Sequence, residues 1–125
     1  VCHRIGDLGA LVGPQLDGIG QRGVDRLCED ILDPNRAVDR AFRVTLFTTR
    51  DQEVVSGLVR REEGELIVLA DSTGKEFTLP KRNVQERRES ETSLMPDNFG
   101  ELLSKGDFAD LMAFLASTAL DHGGR

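Results

Sequence analysis

Apolar residues recur with changing period along the chain, and the changes of period divide it into three parts. Val24, Leu27, Cys28, Ile31 and Leu32 fall at helical spacing and predict a helix over 24–33. Asp33-Pro34 stops it, because a proline disfavours helical geometry in the residue before it. Residues 35–41 predict one further short helical turn. From Phe42 to about Arg88 the period drops to two. Phe42, Val44, Leu46 and Thr48 alternate with polar or smaller neighbours, and Arg50-Asp51-Gln52 makes a polar turn. Val54 to Val59 follows, with Gly57 inside it as the mark of a bulge or of close packing. Glu62-Glu63-Gly64 turns the chain into Leu66-Ile67-Val68-Leu69, and Asp71-Ser72-Thr73-Gly74 turns it into Phe77-Thr78-Leu79. Pro80 to Asn83 leads to a last short strand around Val84 to Arg87. Five short strands at this spacing predict a small antiparallel sheet or open barrel.

After residue 91 the helical period returns. Ser93 to Phe99 reads as a loop, Phe99 to Leu103 as a short helix, and Ser104 with Asp107 as the cap of a last helix. Phe108, Leu111, Met112 and Leu115 give that helix one apolar face. Residues 1–22 are glycine-rich, with little regular structure beyond a short helix expected to run out of Cys2-His3.

Composition narrows the function classes. The 125 residues carry 16 Lys and Arg against 22 Asp and Glu, a formal charge of −6, which argues against a nucleic-acid binder. No apolar run approaches membrane-spanning length. Six Phe with no Trp or Tyr suit a core completed by a large apolar cofactor. Cys28 lies within the apolar stripe of the first helix and reads as a buried free thiol rather than half of a disulfide. Cys2, His3, Cys28 and His122 are the only cysteines and histidines, and they lack paired zinc-site spacing.

Cys2-His3 is the pair with chemistry to offer. Cys before His is how the haem attachment signature C-x-x-C-H ends. Its first Cys would stand three positions before Cys2, so the chain is expected to begin inside that signature. A thiol can tether the ring while the neighbouring imidazole ligates iron, and such an imidazole needs its other N–H anchored. Gly13-Pro14 can supply the anchoring carbonyl, and Leu16 can cover the ring edge. A second candidate ligand is Met95, a soft thioether in a loop, held extended by Pro96.

Gly13-Pro14-Gln15-Leu16-Asp17-Gly18-Ile19-Gly20-Gln21-Arg22 resembles the G-P-x-L-x-G-x-x-G-R run of class I cytochromes c, with one Gly displaced. The resemblance implies that the Pro14 carbonyl accepts from His3, that Arg22 approaches a haem propionate, and that Met95 is the distal ligand. Ile31-Leu32-Asp33-Pro34, Val55-Ser56-Gly57, Ser93-Leu94-Met95-Pro96 and Asp110 to Leu115 extend it. In combination they look like the haem-binding domain of the planctomycete and verrucomicrobial type, over essentially the whole chain.

That resemblance implies an α+β chain, a mainly helical cytochrome c-like fold with a small antiparallel β insertion. Residues 1–41 and 92–125 would form the haem domain, its N-terminal helix and first attachment Cys missing, and 42–91 the insertion. It implies haem c with His3 and Met95 on the iron and Cys2 as the tether. It also implies a periplasmic or otherwise extracytoplasmic setting and a redox partner protein or fused dehydrogenase-like domain. A six-coordinate His/Met iron has no open position, so the expectation is an electron carrier and not an enzyme. Peroxide or gas chemistry after loss of Met95 is the minor alternative. A non-redox module that binds protein or glycan through the β insertion is the other. Without an N-terminal helix across it, the face of Phe108, Leu111 and Leu115 is expected to lie bare and to favour a homodimer.

Overall fold

The computed structural model describes residues 1–118; His122 and the end of the 92–125 segment lie outside them. The alternating stretch forms the largest element, an antiparallel sheet of five strands. They are β3 (Arg43–Thr49), β4 (Val54–Glu63), β5 (Leu66–Ala70), β6 (Glu76–Pro80) and β7 (Val84–Ser93). The preceding hairpin supplies β1 (Arg4–Ile5) and β2 (Leu8–Gly9), two residues each. The sheet order is β6-β5-β4-β3-β7. Four strands meander, and the fifth returns across a 3-10 turn at Lys81–Asn83 to pair with the first. β4 joins the two halves: Val54 to Gly57 pair with β3, and Leu58 to Glu63 pair with β5, with a register shift between Val59 and Arg61.

The helical part comprises α1 (Val24–Leu32), the single turn α2 (Phe99–Leu102) and α3 (Lys105–Ser117). The expectation of a mainly helical fold is therefore corrected. About 31% of the described residues are helical and 35% are in strands. Two causes are visible. β4 and β7 run to ten residues each, so the sheet is no minor insertion. Residues 1–23 contribute a hairpin and a 3-10 turn, Ile19–Arg22, and not the helix expected after Cys2-His3. Gly6 and Gly9 hold positive φ of 58° and 98° there, which favours a tight hairpin over a helix. The helical turn expected over 35–41 is also displaced, to a 3-10 turn at Arg40–Phe42 capped by the Asp39 carboxylate.

Three apolar clusters hold these parts together. Leu27, Ile31, Met112 and Leu115 are buried between α1 and α3, joined by Leu16, Ile19, Cys28, Met95, Phe99, Phe108 and Leu111. Phe47, Ile67, Leu69 and Leu79 form the core of the sheet. Val12, Leu58 and Ala70 form the third, with Cys2, Ala10 and Leu94 against them. β5 is apolar throughout because both its faces are covered: Ile67 and Leu69 meet the sheet core, while Ala70 meets the N-terminal loop. The face of Phe108, Leu111 and Leu115, expected to lie bare, packs in the first cluster. Leu115 is buried, and the exposed apolar residue of α3 is Phe114.

Gly57 marks close packing and not a bulge. A Cβ there would stand 2.9 Å from the Ala70 carbonyl oxygen, while the β3–β4 register runs unbroken from Val54 up to it.

Candidate functional site

The candidate site is built from two loops that meet near the end of α1. The first carries Cys2 to Arg22, and backbone hydrogen bonds fold it back on itself. The Cys2 carbonyl accepts from the amides of Val12 (2.9 Å) and Gly13 (2.6 Å), the His3 carbonyl from Ala10 (3.1 Å), and the Arg4 carbonyl from Leu16 (2.9 Å). Asp17 closes the loop by accepting from the Gly6 amide at 2.8 Å. That amide, helped by the Gln15 side chain, holds the Asp17 carboxyl below the usual carboxylate range. Arg60 of β4 donates to the Leu11 carbonyl and fastens the loop to the sheet.

Glycine is required at two places around His3. A Cβ on Gly9 would lie 2.0 Å from the His3 carbonyl oxygen, and one on Gly13 would lie 2.9 Å from Cε1 of the imidazole. The ring therefore stands against bare backbone, half-buried, with Nδ1 2.7 Å from the Pro14 carbonyl oxygen. A carbonyl can only accept, so Nδ1 carries the proton. In the neutral ring Nε2 then keeps its lone pair for an external partner. This is the tautomer a metal-ligating histidine needs.

The second loop carries Met95. The Ser93 amide donates to Oδ1 of Asn35 at 2.8 Å, and Oγ of Ser93 accepts from the Met95 amide at 3.0 Å. Asn35 lies just past α1, so this chain of bonds fixes the Met95 backbone relative to the helix. The Met95 thioether is half-buried in the same cluster as Leu16. Leu94, its neighbour, points into the other cluster with Cys2. The sequence reading gave Asn35 and Ser93 no anchoring role. A serine two residues before a methionine could have signalled a local side-chain turn; nothing in the sequence pointed to Asn35.

Not every expected residue converges. Arg22 is engaged by Asp30 of α1 in a two-pronged ion pair, Nε–Oδ2 2.7 Å and Nη2–Oδ1 3.1 Å. It thus ties the 3-10 turn to α1. Cys2 packs beside Val12, Leu58 and Ala70, away from the Leu16 and Met95 cluster. Both cysteines are free thiols, Cys28 half-buried on the α1 cluster. Among the described residues, no three His, Cys, Asp or Glu side chains gather as a metal site.

Set against haem, the donor chemistry fits at His3, Leu16 and Met95. One imidazole nitrogen is anchored and the other free, and a thioether and a leucine share one apolar cluster. At Arg22 and Cys2 the fit needs each side chain to leave its present partners. In comparison with known proteins, no family model matches the chain and no curated protein matches it. Among the described residues, no helix is long and apolar enough to cross a membrane.

Proposed function

We propose that this chain is a haem-binding electron-transfer module of the cytochrome c type. The observation that carries the reading is the His3 imidazole, anchored through Nδ1 on the Pro14 carbonyl with Nε2 left as a donor. When bound, haem c supplies a one-electron iron couple. His3 would hold the iron through Nε2, and Met95 would hold it through the thioether. Leu16 would pack on the ring and help to exclude water. Cys2 would be the covalent tether, and Arg22, now paired with Asp30, would be the residue to neutralise a propionate. With both ligands supplied by protein, the module would exchange electrons and not activate a substrate. Its setting is extracytoplasmic, and its partner is a redox protein or a fused dehydrogenase-like domain.

Redox potentiometry of the haem-loaded chain tests this. A reversible one-electron couple is expected, with a midpoint that falls in Met95→His, because thioether ligation raises the potential. A midpoint unmoved by that change would remove Met95 from the iron.

One observation favours a second reading. The sheet has a core of its own in Phe47, Ile67, Leu69 and Leu79, separate from the His3 and Met95 loops. In this reading the β segment binds a protein or glycan, and haem is structural or absent. Partner capture by residues 42–91 produced alone would decide for it.

A further inference from the structure

The chain is acidic overall, yet it concentrates guanidinium groups in one concave place. An open cleft of about 620 Å³ lies between the 3-10 turn before α1, α1 itself, the connection after α1, the start of β3 and the end of β7. Four arginines line it: Arg22, Arg26, Arg36 and Arg43. Two carboxylates, Asp39 and Glu91, share the lining. Asp39 accepts from the Ala41 amide as the cap of a 3-10 turn.

The protein satisfies these arginines unequally. Arg22 is engaged by Asp30 through two charge-assisted hydrogen bonds. Arg26 and Arg36 share Glu29 at 3.8 and 3.4 Å, beyond ordinary charge-assisted hydrogen-bond length. Arg43 gives Nε to the Val38 carbonyl at 3.0 Å, and its Nη1 stands 3.9 Å from Glu89. Each guanidinium has five N–H donors. Most donors of Arg26, Arg36 and Arg43 therefore have no short acceptor among the described residues. The scaffold around them is fixed. Arg43 pins the Val38 backbone, and Asn35 is tied to the Ser93 amide. Planar forks at a low-lying, concave site match the oxygens of phosphate or carboxylate and focus the local field on an anion.

We propose that this cleft, which includes Arg22 and borders the Met95 loop through Asn35, binds a free multivalent oxyanion of the phosphate or carboxylate class. Arg26, Arg36 and Arg43 supply the donors, and Asn35 shapes the floor. The claim does not depend on haem.

The test is a titration of the isotope-labelled chain with inorganic phosphate near pH 7, following amide and arginine Nε–H resonances. Chloride at matched ionic strength is the control. Saturable shifts confined to residues 22–43 and to the end of β7 are expected, with a dissociation constant of roughly millimolar size. Arg26→Gln with Arg36→Gln should weaken binding about tenfold, the loss of roughly 1.4 kcal/mol. Both side chains are exposed, so the variant should keep the wild-type spectrum elsewhere. Linear shifts equal to those with chloride, or undiminished binding in the double variant, would overturn the proposal. So would binding that disappears once the chain is loaded with haemin, since the cleft would then serve the haem carboxylates.

Discussion

His3 owes its orientation to backbone, not to neighbouring side chains. Its ring leans on Gly13 and donates to the Pro14 carbonyl, and its own carbonyl is met by the Ala10 amide. Because the geometry is local, it can be tested without any cofactor. Nitrogen NMR of the wild-type chain should show the neutral His3 ring as the Nδ1–H tautomer. Gly13→Ala places a methyl 2.9 Å from Cε1, so the ring must turn and the anchored tautomer should give way to a mixture. An unchanged tautomer in Gly13→Ala would mean that the ring has room the structure denies it. The role of Gly13-Pro14 was legible in the sequence, because the motif fixes both residue types. The engagement of Arg22 by Asp30 was not, since eight positions of separation bring no helical pairing rule to bear.

At the scale of elements, the sheet shows where pattern reading succeeds and where it fails. All five strands and their turns stand close to where the alternation put them. The alternation does not say which face of β3 lies inside. Of Phe42, Val44, Leu46 and Thr48 only Val44 is buried, and the fully buried residue is Phe47, flanked by buried Thr45 and Thr49. Both phases of β3 carry apolar side chains, so a period of two cannot say which is inside. The β3–β7 register shifts between Arg43 and Thr45, where Val44 and Thr45 are both buried. The consequence is measurable. Phe47→Ala should cost about 3–5 kcal/mol in denaturant unfolding, whereas Leu46→Ala, at a half-buried position, should cost clearly less. The opposite ranking would put the Leu46 face inside.

Ion pairs between strands give the sheet an acid limit. Lys81, then Arg87, hold the Glu62 carboxyl below its ordinary range, and Arg61 does the same for Glu76. The Thr73 hydroxyl and amide lower Asp71 in the β5–β6 turn. A carboxyl whose folded pKa is depressed adds stability above its unfolded pKa and loses it as pH falls toward the folded value. Thermal stability should therefore be flat between about pH 7 and 5 and decline below about pH 4, where unfolded carboxyls take up protons. These groups are solvent-facing, so the decline should shrink at high salt. A melting temperature that rises on acidification would contradict these assignments.

For the whole molecule, the clusters explain why sheet and loops form one body. The N-terminal loop lies on the outer face of β4 and β5 through Val12, Leu58 and Ala70, and Arg60 closes the seam. Beyond the sheet, Asn35 and Ser93 link the end of α1 to the Met95 loop. The helices pack on the loops through Leu16 and Met95, so the two proposed ligand segments belong to one cooperative unit. Sequence pattern gave the parts in order but understated the sheet, because the ten-residue β4 and β7 carry runs of charge that read as turns or solvated ends. The links made by Asn35 and Arg60 were invisible for a different reason: they join residues 58 and 49 positions apart.

The central claim, an iron held between His3 and Met95, is tested most directly by optical absorption of the haem-loaded chain in oxidised and reduced forms. The account predicts a low-spin spectrum in both states, with a weak long-wavelength methionine–iron band in the oxidised form that Met95→Ala abolishes. A high-spin spectrum, carbon monoxide binding to the reduced chain without denaturant, or a folded chain that takes up no haem would contradict it.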